Sequence, residues 1–121
     1  MVSVQGIGGI FFRASDPEAL SAWYLEHLGI DMSGGAWMAG GGPTVYAPFP
    51  RSTDYFGREE QAFMINFRVT DLDSLLAQLR AADIEIITNP EWNSEIGRFA
   101  RIHDPEGNPI ELWEPAGPAA L

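Results

Sequence analysis

At 121 residues, 45% hydrophobic and 20% charged, the chain has the size and make-up of one compact domain, with no room for a second core. Seven basic residues against 17 acidic ones give a net charge of −10, which repels phosphate backbones and anionic bilayers and argues against nucleic acid or membrane as a partner. The chain has no cysteine, which excludes disulfides and thiol chemistry; with no leader-like start and no apolar run near the ~18 residues of a membrane span, the cytoplasm is the expected location.

An apolar run through Gly9–Ala14 predicts a first strand, and Leu20, Trp23, Tyr24 and Leu28 then follow helical spacing. That helix has two possible starts: a Ser15/Glu18 capping box, or Asp16 as cap with Pro17 in the first turn. Gly29 ends it, and His27 sits where a cation favours the helix dipole. Short β-like runs follow at about 30–33, 36–39 and 44–49, punctuated by Gly34-Gly35 and Gly40-Gly41-Gly42-Pro43. The segment from 50 to 61, with Pro50 and Gly57, reads as a connector that either covers a cavity mouth or simply crosses the surface.

Beyond the connector the pattern repeats. Phe12-Arg13-Ala14-Ser15-Asp16 returns as Phe67-Arg68-Val69-Thr70-Asp71, 55 residues on. A second amphipathic helix follows through Leu72, Leu75, Leu76 and Leu79, capped by Thr70 or Asp71. Strands are predicted at about 85–88, 98–103 and 110–114, the last two joined by Asp104-Pro105-Glu106-Gly107-Asn108, whose Pro and Gly supply hairpin-turn geometry. Each half, about 5–50 and 62–115, therefore reads strand, helix, three strands within a single domain spanning 1–121.

The duplicated module, the Ser-Asp-Pro helix start, the Trp23-Tyr24-Leu25…Leu28-Gly29-Ile30 run and the run Asp104–Trp113 (DPEGNPIELW) together resemble the vicinal oxygen chelate superfamily. That superfamily includes glyoxalase I, extradiol dioxygenases and the bleomycin resistance proteins. The resemblance implies an α+β fold of two βαβββ modules, whose curved, partly closed mixed sheet surrounds a cavity, and it implies a homodimer. It leaves open whether the modules pair within one chain or across two. Metal-dependent relatives place ligands on the first and fifth strands, seven residues before the helix-opening Asp, and a carboxylate on the last strand. Those positions here are Gly9, Met64 and Glu111. Glycine has no side chain and a thioether is a poor ligand for hard metals, so no metal or other cofactor is expected.

If the apolar sides of the strands back onto helices, the opposite face receives Met64, Asn66, Arg68, Phe99, Arg101, His103, Glu111 and Trp113. Trp92, in a loop near Glu95, is placed at the rim. Polar groups converging among aromatic rings are the usual form of a small-molecule site. Arg68 and Arg101 together would fork a carboxylate or phosphate, whereas the acidic surface suits a cationic or amphipathic molecule. Glu111 reads either as an acid–base or counter-charge residue, or as a structural ion-pair partner of Arg101, Arg68 or Arg13. His103 is the candidate proton-transfer group, or else a residue serving the adjacent turn.

The expectation is a metal-independent domain that binds a small organic molecule. The alternatives are an enzyme of the lyase, isomerase or dioxygenase type, using His103 and Glu111 or a metal relocated onto His103, Glu111 and one further acid such as Glu95, and an accessory module whose dimer surface is its purpose.

Overall fold

The computed structural model describes residues 2–117. Its first helix, α1, runs Pro17–Leu28. Of the two possible starts the chain uses the second: the Asp16 carboxylate accepts from Ala19 N at 3.1 Å, with Pro17 opening the first turn. Gly29 closes the helix in the left-handed region at φ 70°, its N–H bonded back to Leu25 O. The second helix, α2, runs Leu72–Ala81. Asp71 caps it by accepting from Ser74 N at 3.0 Å and Ser74 Oγ at 2.7 Å, and Glu114 accepts from Leu72 N at 2.8 Å.

Three strands make one open, mixed sheet: β1 (Ile65–Arg68), β2 (Gly97–His103) and β3 (Pro109–Pro115), in the spatial order β1-β3-β2. β1 runs parallel to β3, setting Asn66 beside Glu111, and β2 runs antiparallel to it, setting Arg101 opposite Glu111 and Phe99 opposite Trp113. Both helices cover one face. The core there comprises Leu20 and Tyr24 from α1, Leu72, Leu76 and Leu79 from α2, and Ala100, Ile102, Ile110 and Leu112 from the sheet. Because strand side chains alternate, burying Ile110 and Leu112 sends Glu111 and Trp113 to the other side. Among the described residues no helix is long and apolar enough to cross a membrane.

The Asp104–Asn108 turn is a structural knot. Asp104, 4% exposed, accepts from Tyr24 Oη at 2.8 Å, Glu106 N at 2.9 Å, Asn108 N at 3.0 Å and Asn108 Nδ2 at 2.8 Å. Glu106 reaches the other way and accepts from the backbone N–H groups of Ser15 and Asp16 at 2.6 and 3.0 Å. One hairpin thus pins both the start and the middle of α1.

The first half departs from expectation. The strands predicted at 9–14, 30–33, 36–39 and 44–49 join no ladder, and the stretch 85–88 contributes only an isolated bridge, Ile87 to Arg101. A strand exists only where a second edge satisfies its backbone, and the one described sheet offers no edge that these segments reach. Val4, Ile7, Ile10, Phe11, Val45 and Tyr46 are consequently exposed, Phe11 by 93%.

Candidate functional site

The face opposite the helices gathers a compact polar cluster. Glu111 accepts from Tyr55 Oη at 2.5 Å and from Asn66 Nδ2 at 2.7 Å. Arg101, directly across the ladder, lays its guanidinium 4.4 Å from the Tyr55 ring centroid and 5.2 Å from that of Trp92. Phe49 stacks on Tyr55 at 5.8 Å, and Phe99 lies parallel to Trp113 at 6.0 Å. Trp113 donates Nε1 to Ile96 O at 3.0 Å, so that buried ring forms a fixed wall.

The structure thus brings Asn66, Arg101, Glu111 and Trp92 together, with Phe99 and Trp113 beside them on the same face. Arg68 is diverted: it donates to the carbonyls of Pro43 and Gly40, the latter at 2.9 Å, and holds the glycine-rich turn rather than joining Arg101 in a fork. Met64 is half-buried just before β1. His103 is exposed at the far end of β2, two residues beyond Arg101 and bonded to no side chain among the described residues. The ion pair weighed for Glu111 is not formed with any arginine among the described residues; neutral donors take its oxygens instead.

Tyr55 has no counterpart in the expectations. It lies in the 50–61 connector, which reaches over the face and does not merely cross the surface. The sequence signal is the pair Tyr55-Phe56 inside an otherwise polar connector, with Phe49 just before it. Burial, then the Glu111 carboxylate, push the Tyr55 phenol up to about 12 from its ordinary 10.0, partly offset by Arg101. Burial and Asp104 push Tyr24 up further still. Both groups keep their protons in the fold after the unfolded chain has lost them, so both contributions are complete below pH 10; that of Tyr55 is lost as pH rises to about 12, and that of Tyr24 falls over a range that extends higher. Urea unfolding at pH 9 and pH 11 should show this fall, and Tyr55→Phe should make it shallower.

The donor set does not fit a metal of the superfamily type. Gly9 and Met64 offer no hard ligand, Glu111 is engaged by two neutral donors, and no group of three His, Asp or Glu side chains among the described residues could hold an ion. The relocated set is not assembled either, since no such group unites His103, Glu111 and a further acid such as Glu95 among the described residues.

Two helices on one side of a mixed sheet, with the opposite face left for polar and aromatic groups, define a glyoxalase-type α+β domain. The chain belongs to the Glyoxalase/Bleomycin resistance protein/Dioxygenase superfamily, whose family model matches residues 6–112. Among solved structures it is similar to TnmS3, an antibiotic binding protein from Streptomyces sp. CB03234. That match has 22% identity and a TM-score of 0.63, and covers 96% of this chain and 100% of the other. It is also similar to a glyoxalase/bleomycin resistance protein from the same organism, with 25% identity, a TM-score of 0.51 and coverage of 83% and 92%. No curated protein matches the chain.

Proposed function

We propose that the protein binds a small organic molecule without a metal ion, on the sheet face that carries Glu111, and that it does so as a homodimer. The observation that carries this reading is the packing of Tyr55 and Trp92 around Arg101, beside a Glu111 to which the chain does not join it by an ion pair, with the stacked rings of Phe99 and Trp113 on the same sheet face. Flat rings around a few polar groups bind aromatic molecules by stacking and orient them by hydrogen bonds. Superfamily membership and the likeness in fold to TnmS3, an antibiotic binding protein, support the same direction. Asn66, Arg101, Glu111 and Trp92 are the contact residues of this proposal, with Phe99 and Trp113 as the wall. Met64, Arg68 and His103 stand at its margin.

A thermal-shift screen with aromatic acids, amines and neutral heterocycles tests it, since a molecule that binds only the folded form raises Tm. The expected result is a rise that persists in EDTA. A rise that vanishes on chelation and returns with a divalent metal would reject metal independence.

The homodimer rests on the unpaired first half. An extended, apolar 2–14 segment in one chain and an outer strand β1 on the sheet are complementary needs, and a second copy meets both. Sedimentation equilibrium should give twice the chain mass of 13.3 kDa. Phe11→Glu should return it to the single-chain value, because a charge at a site this exposed in one chain is costly only where a partner buries it.

A further inference from the structure

Of the buried side-chain nitrogen and oxygen atoms among the described residues, Nε and Nη2 of Arg101 are the ones without a hydrogen-bond partner. Their N–H groups lie on one edge of the planar guanidinium and point in parallel, at the spacing that meets both oxygens of a carboxylate. The Tyr55 and Trp92 ring centroids lie 4.4 and 5.2 Å from its central carbon, and what remains without a hydrogen-bond partner is the Nε–Nη2 edge. Glu111 does not fill it, although the ladder places the two residues opposite each other, because its oxygens accept from Tyr55 and Asn66. A purely structural arginine is satisfied locally, as Arg68 is by the carbonyls of Pro43 and Gly40. Desolvated cationic N–H groups left unpaired are costly, and a ligand that pairs them recovers that cost as affinity.

We infer that the ligand of this face is an aromatic carboxylate, its two oxygens received by the Nε–Nη2 edge of Arg101 and its ring stacked among Tyr55 and Trp92. The inference rests on the open face being the ligand site. Both nitrogens are without solvent exposure, so the carboxylate reaches them only as the groups covering that edge give way.

Calorimetric titration of the full chain with 2-naphthoate and with 2-naphthamide, the same ring system without the charge, provides the test. Naphthoate should bind at least about tenfold more tightly. Arg101→Gln should abolish that preference, the naphthoate-to-naphthamide affinity ratio falling to about one, and Arg101→Lys, which keeps the charge but loses the parallel pair, should retain only part of it. Equal affinities in the unaltered protein, or a preference undiminished in either variant, would overturn the carboxylate inference and leave the ligand site standing. If Arg101→Gln does not fold, the lysine variant decides alone. Binding of neither probe would count against both the inference and the site.

Discussion

Replacing Asp104 with alanine should cost about 3 kcal/mol or more, because one substitution strips the acceptor from four donors at once. Three of those donors shape the β2–β3 turn. The fourth, the Tyr24 hydroxyl, is buried between α1 and the sheet and would be left with no partner. For a chain of this length the loss corresponds to a fall in Tm of about 10 °C or more. Tyr24→Phe removes one donor and leaves the turn intact, so it should cost only about 1–2 kcal/mol. In the double variant the two losses should not add, since the tyrosine contact is already gone once Asp104 is removed. Equal losses for the two single variants would show that the turn hydrogen bonds contribute nothing and that helix docking is the whole effect.

Gly97→Ala should be comparably severe for a different reason. Gly97 has φ 142°, and an added Cβ would strike the backbone carbonyl of Glu114 and lie 2.6 Å from Trp113 Nε1. Neither neighbour yields freely: the carbonyl belongs to the β2–β3 ladder, and the indole is stacked on Phe99 and bonded to Ile96. Backbone strain and overpacking together should cost about 3 kcal/mol. The same change at Gly35, with φ 85° and open space around it, carries the backbone term alone and should cost about 1 kcal/mol. Chemical denaturation of the two variants makes the comparison. Trp113 adds a local readout, since its fluorescence should shift in the Gly97 variant.

These two positions also show what was readable in the sequence. Asp16-Pro17 and Asp71 announce their helices through bonds that span three residues, and the Pro and Gly of the 104–108 turn dictate a hairpin locally. Strand alternation likewise placed Ile110 and Leu112 in the core and Glu111 and Trp113 opposite. What failed depends on distant partners. The first-half strands have the right residues, but no edge within the described chain pairs them. Arg68 occupies the anticipated face, yet carbonyls of a turn 25 and 28 residues away capture it. Tyr55 stayed hidden because nothing in a connector's composition reveals where its ring will dock. That placement, more than the repeat or the helices, gives the Glu111 face its chemistry.

The most direct measurement follows the nitrogen-15 resonances of the Arg101 Nε–H, the Trp92 indole and the Asn66 amide while the most stabilising aromatic compound from the thermal screen is titrated into EDTA-treated protein. Saturable shifts centred on these three groups are the predicted result. Shifts confined to the groove between α2 and residues 88–93, or changes at Glu111 that arise only when a divalent metal is added, would contradict the account.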